Sequence, residues 1–248
     1  MTDWQALLAA NRPVTLSGTV LRMVKSQEQV ATNRLVSSLE RQSLLEDMLE
    51  QTKPPLRAGS EGLHYLLATP FRYPPLRHGS RFGRRNQPSL FYGSTVAATV
   101  LAEAAYYRFL FWYGMTDPPT KKIDTQHTLF AAGYRSDKGV RLQSPPFDAY
   151  RVLLGDPSDY TETQALGTAM REAGIEAFEF VSARDPAQGI NVALFTPAAF
   201  TERQPVMQSA WLCELTATQV RFREAHSHAT HGFPLGMFLV EGGLPRAG

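Results

Sequence analysis

The sequence predicts an α+β protein that opens with an N-terminal helical arm. Three observations carry that expectation. The stretch 95–113, TVAATVLAEAAYYRFLFWY, lacks Gly and Pro and is apolar nearly all round, as a buried central helix is. The second half alternates strand-like apolar runs with turn-forming segments. Between Val20 and Gln51 there is again no Gly or Pro, and Leu35, Leu39, Leu45, Met48 and Leu49 recur at roughly helical spacing.

Taken in chain order, residues 1–53 read as helical, with Ser26 and Gln29 as a weak capping box and Pro54-Pro55 as the stop. This arm packs on the main domain or serves as a partner or dimer helix. The stretch LHYLLATPFRYPPL, interrupted by Pro70, Pro74 and Pro75, reads as short strands and turns rather than helix. SLFYG is strand-like, and Asp117-Pro118-Pro119 closes the central helix. HTLFAAGYR is a strand, and ETQALGTAMREAG a short helix with Gly174 at its end. IEAFEFVS and INVALF flank ARDPAQG as a hairpin, and SAWLCELT and TQVRFRE close the chain as strands.

Composition removes several function classes. With 248 residues, 43% hydrophobic and 19% charged, the chain buries a core, as one large domain or one domain with a small appendage. A net charge of +2 is too balanced for a nucleic-acid binder that relies on bulk charge. Cys213 is the only cysteine, which excludes an intrachain disulfide and any multi-cysteine zinc site; in AWLCEL it reads as a small buried hydrophobe. There is no apolar run of about 18 residues and no secretory signal, so a cytoplasmic protein without membrane contact is expected.

The informative anomaly is Glu103. On the 95–113 helix it shares a stripe with Val96, Thr99, Val100 and Tyr107, where a carboxylate is costly unless paired, hydrogen-bonded or facing a cleft. One reading is a structural ion pair with an arginine. The other is a carboxylate aimed into a pocket, able to stabilise positive charge developing on a sugar carbon or to activate a nucleophile. Upstream, Arg72, Arg77, Arg81, Arg84 and Arg85 fall within fourteen residues, interleaved with Phe71, Tyr73, Phe82, Phe91 and Tyr92. Guanidinium forks grip phosphates and aromatic faces stack on heterocycles, so the segment suits a nucleotide or RNA. Arg84 and Arg85 read as a solvated loop, whereas Arg72 follows a hydrophobic run and suits a semi-buried role.

FRYPPLRHGSRFG, then SLFYGS, then TVLAE on a helix, and later FEFVSARDPAQGINVALF together resemble the RES domain family over about residues 63–200. By motif, Arg72, Glu103 and Ser182 match the arginine, glutamate and serine that name the family, Arg81 a second arginine and Tyr92 a strand-end tyrosine. The resemblance implies a mixed-sheet core similar to ADP-ribosyltransferase toxins, with a helical arm over 1–60 and an NAD-binding catalytic domain over 61–248. It implies a toxin of a toxin–antitoxin pair that degrades NAD by hydrolysis or phosphorolysis, or a relative that transfers ADP-ribose to a protein. It also implies an Xre-type antitoxin covering the cleft.

In that reading Glu103 steadies the oxocarbenium-like sugar. Arg72 and Arg81 hold the pyrophosphate or ribose hydroxyls, Tyr92 stacks on nicotinamide or closes the pocket, and Ser182 bonds the ribose or orients Glu103. On their own, Ser182 reads as a strand-end hydroxyl and Tyr92 equally as core. NAD is substrate rather than cofactor, since no GxGxxG follows a strand. No metal is expected: His226, His228 and His231 lack HExxH spacing and a nearby cysteine, and read as a polar or pH-sensitive loop. The arm is compatible with a homodimer. A non-enzymatic RNA-binding module, built on segment 71–92, is the competing class.

Overall fold

The computed structural model describes residues 2–26 and 38–245, and within α2 the side chains of all but Leu39 and Glu46. Gln29 of the expected capping box, and Leu35, lie outside the described residues. Helix α1 (Trp4–Ala9) is capped by Asp3, whose carboxylate accepts from the Ala6 N–H. The chain then runs into strand β1 (Val14–Lys25), not helix. The expectation of helix over 1–53 fails here because Val14, Thr15, Thr19, Val20 and Val24 are β-branched and Gly18 sits among them. Pairing with β3 (Ile123–Arg141), from Val14 opposite Gly139 to Lys25 opposite His127, makes β1 part of the main sheet rather than of an arm. The arm is helical again in α2 (Leu39–Thr52), where Ser38 accepts from the Arg41 N–H, and it stops before Pro54 as expected.

A second correction concerns 65–72, expected as strands and turns. These residues form helix α3 (Tyr65–Arg72) with Pro70 in its last turn. A two-turn helix loses a single backbone bond to that proline, and burial of Leu66, Leu67, Ala68 and Phe71 outweighs it. The remaining elements fall where the pattern put them: β2 (Phe91–Ser94), α4 (Ala97–Tyr113), α6 (Thr161–Glu172), β4 (Ala177–Val181), β5 (Ile190–Leu194), β6 (Met207–Leu215) and β7 (Gln219–Glu224). A short α5 (Arg151–Leu154) precedes α6, and β8 (Thr230–Pro234) takes His231 out of the expected loop.

Among the described residues eight strands form one mixed sheet in the order β1-β2-β5-β4-β3-β6-β7-β8, which bears out the expected α+β class. Of these strands only β3 and β4 run parallel; β1 also pairs with β3, so β1, β2, β5, β4 and β3 close a circuit of hydrogen-bonded strands. Inside it Leu16, Val20, Phe91, Phe130 and Leu194 pack together. Helix α6 covers Phe82, Phe178 and Phe180 on one side. Helix α4 lies over β6 and β7, with Leu101, Ala105, Phe109 and Trp112 against Cys213 and Phe222. It is not buried all round: Tyr107 and Phe111 are exposed, and Glu103 is half-buried.

His127 on β3 is only 5% exposed. Burial first, then the nearby charges of Arg108 and Lys25, pull its imidazole down to a pKa of about 4. The unfolded chain therefore takes up a proton at pH values where the folded one does not. Stability should be complete above about pH 6.5 and fall by about 3 kcal/mol as the pH drops towards 4. Urea midpoints against pH should show this slope, and His127→Gln should flatten it. An equal slope in the variant would refute the assignment.

Candidate active site

Between α4, β1, β2 and the β4–β5 turn opens a cleft of about 260 Å³. Glu103 reaches it from α4, flanked by Val100, Ala104 and Tyr107 of the same helix. Two donors converge on one carboxylate oxygen: the Ser182 hydroxyl at 2.6 Å and the Asn191 amide nitrogen at 2.7 Å, both to Oε1. Among the described residues, Oε2 receives no hydrogen bond and Glu103 makes no ion pair, so the arginine-paired alternative is not realised.

Ser182 is itself oriented. Its Oγ accepts the N–H groups of Arg184 and Asp185, each at 3.1 Å, which leaves the hydroxyl proton for Glu103. The turn carrying Ser182 is docked on α4 by Asp185, whose Oδ2 accepts the Thr99 hydroxyl at 2.7 Å. Gly189 permits that contact, because a Cβ there would stand 1.9 Å from Thr99 Oγ1 and 2.8 Å from Asp185 Oδ2. Gly189→Ala should force the turn off the helix and lower stability by about 1–3 kcal/mol. Urea titration measures it; an unchanged midpoint would show that the turn yields freely.

Arg81 projects from the turn after α3. Its Nη2 donates to the carbonyls of Leu154 and Asp156 at 2.7 and 2.9 Å, its guanidinium lies 5.2 Å from the Tyr160 ring centre, and its Nε is buried without a partner among the described residues. The Tyr92 hydroxyl holds this turn, accepting the Phe82 N–H at 3.0 Å and sharing a hydrogen bond with Ser80 Oγ at 3.0 Å. Burial pushes the phenol up to a pKa of about 12, so it stays protonated. Its ring lines the cleft, while its hydroxyl is committed to the loop bearing Arg81.

Arg72 is elsewhere. At the end of α3 its Nε donates to the Pro54 carbonyl at 2.5 Å and its Nη1 meets Glu50 Oε1 at 2.6 Å, pinning α2 to the body. It does not line the cleft, which corrects the expectation placing it with Glu103. The hydrophobic run before it forms a helix, and that helix aims the side chain at α2.

Two other arginines take part. Arg22 of β1 donates from Nη1 to the Tyr92 carbonyl at 2.6 Å, with its Nε buried and without a partner among the described residues. Burial lowers its pKa to about 10, which still leaves a full cation at neutral pH. Gly93 lets β1 pass this close, since a Cβ there would sit 2.5 Å from the Leu21 carbonyl oxygen. Arg184, 6% exposed, donates from Nη2 to the Pro157 carbonyl at 2.6 Å and to Tyr160 Oη at 3.0 Å, over the Tyr106 ring at 3.7 Å. Sequence reasoning misses both, along with Asn191. The available signals were single polar residues inside apolar strands, in VLRMVK and INVALF.

Three arginines and one carboxylate line the cleft, which leaves it an excess of positive charge and suits a ligand with two anionic groups beside a cationic centre. Among the described residues no group of three His, Cys, Asp or Glu is placed to hold a metal ion. No helix among them is long and apolar enough to cross a membrane. His231 pairs with Phe222 across β7 and β8, its ring 5.9 Å from that of Trp211.

No curated protein matches this chain. Among solved structures it is similar to one titled as the crystal structure of the M. tuberculosis MbcT-MbcA toxin–antitoxin complex. That likeness has 12% identity and a TM-score of 0.48, over 86% of this chain and 92% of the other. The model of the RES domain matches residues 54–216, well over half of the sequence, with Arg81, Tyr92, Glu103, Ser182 and Asn191 inside the match and Arg22 before it. The chain belongs to the RES domain family.

Proposed function

We propose that this protein is an NAD-consuming enzyme that breaks the nicotinamide–ribose bond, acting as the toxin of a toxin–antitoxin pair. The observation that carries the reading is a carboxylate clamped at Oε1, with its other oxygen open to a cleft that three arginines make cationic. NAD matches that charge pattern: a dianionic pyrophosphate near a cationic nicotinamide riboside.

In the reaction the bond between the ribose carbon and the pyridinium nitrogen breaks. Its electron pair neutralises the nitrogen, and nicotinamide leaves without needing a proton. The positive charge passes to the sugar as an oxocarbenium-like centre, which the Glu103 carboxylate stabilises electrostatically. Arg22, Arg81 and Arg184 hold the phosphates, and Ser182 and Asn191 keep the carboxylate in one orientation. An acceptor oxygen then attacks the sugar carbon; if water, it loses a proton to solvent. Membership of the RES family supports the toxin role, and an Xre-type antitoxin seated over the cleft is part of the same proposal.

Incubation of the purified protein with NAD, with and without inorganic phosphate, should release nicotinamide in step with NAD loss, both measured by chromatography. A phosphate requirement identifies phosphorolysis, and mass gain on a lysate protein identifies transfer. Unchanged NAD at high protein concentration would overturn the proposal.

A further inference from the structure

Asn191 can present either end of its amide to Glu103, and only one end is useful. With Nδ2 forward it donates to the carboxylate; with Oδ1 forward, two acceptors would face each other in a half-buried site. The carboxylate, an acceptor only, selects the first, and the amide oxygen behind it then needs a donor of its own. At the register position opposite Asn191, on β2, stands Ser94, whose hydroxyl lies 2.6 Å from Asn191 Oδ1. The two residues are 2% and 4% exposed, so water cannot substitute freely for either. A carboxamide nitrogen turned towards Ser94 would leave its oxygen against the Glu103 carboxylate.

We infer that Ser94 is a positioning residue for the reaction, fixing the Asn191 amide so that Glu103 is held at Oε1 and works through Oε2. Its hydroxyl donates to Asn191 Oδ1, Asn191 Nδ2 donates to Glu103 Oε1, and the Ser182 hydroxyl reaches the same oxygen from the end of the neighbouring strand β4. The carboxylate is thereby braced from two independent chains, one from β2 through β5 and one from the β4–β5 turn. The kinetic consequence rests on the NAD-cleaving reading above; the geometric one does not.

Ser94→Ala should lower kcat about tenfold with KM changed less than twofold, because a loosened carboxylate affects the charged transition state more than substrate binding. In an Asn191→Ala background, Ser94→Ala should add nothing, since the hydroxyl acts only through that amide. Unchanged kcat in the single variant, or multiplying losses in the double variant, would overturn the role. The Asn191 side-chain amide signals, followed by NMR, should shift in Ser94→Ala, and unchanged signals would refute the orientation itself. If the wild-type protein leaves NAD intact, the functional reading fails while NMR still decides the role of Ser94. Should Ser94→Ala not fold, Ser94→Cys keeps the side-chain shape with a weaker donor. It should then show a smaller kcat loss in the same pattern, and a wild-type kcat would overturn the role.

Discussion

Glu103→Gln should lower the rate of nicotinamide release about 10²–10³-fold while leaving the fold intact. The substitution suits the question because the amide oxygen of glutamine can still accept from Ser182 and Asn191, so geometry is kept and charge is removed. The stabilised species bears its positive charge on the sugar carbon only in the transition state, whereas ground-state NAD carries it on the nicotinamide ring. The loss should therefore fall on kcat, with KM nearly unchanged. Circular dichroism and the melting temperature should match the wild type. Full turnover by the variant would remove electrostatic stabilisation by this residue from the mechanism.

Arg22→Met should lower kcat/KM about 10–10²-fold, mainly through KM, the scale of one charge-assisted hydrogen bond to a phosphate. The expected stability change has the opposite sign from an ordinary core substitution. Arg22 has a buried Nε without a partner and a pKa pulled down to about 10 by burial, so its charge costs stability in the free protein. Met retains the apolar stem and removes that cost, so the melting temperature should hold or rise even as activity falls. Arg72→Ala provides the contrast. It should cost the tether that holds α2 to α3 through Glu50 and Pro54 but leave kcat and KM close to wild type. A strong activity loss in Arg72→Ala with none in Arg22→Met would reverse the placement of the two arginines.

The exchange of Arg72 for Arg22 shows where local pattern stops being informative. Both arginines follow apolar residues, and neither spacing nor composition distinguishes one that faces a cleft from one that ties down a helix. Arg22 was hidden further because 14–25 reads as part of a helical arm. A strand's alternation places Arg22 on a definite face, but which face becomes the cleft depends on pairing with β3 and on β2 crossing nearby. Those pairings join residues from about 70 to 125 positions apart and leave little trace in a short window.

Much was legible from the chain alone, and for a physical reason. Glu103 stood out because a carboxylate on an apolar helix must be accounted for energetically whatever surrounds it. The strands of the second half and the 161–172 helix were legible because side-chain period and turn residues are local properties. What only the tertiary structure decided is which groups share the cleft: Arg22, Arg184 and Asn191 join Arg81, Tyr92 and Glu103, Arg72 does not, and Ser182 braces the carboxylate from just outside the lining. Hydrogen bonds and charge interactions act across a few ångströms of space, and distance along the chain says little about which residues fall within that range.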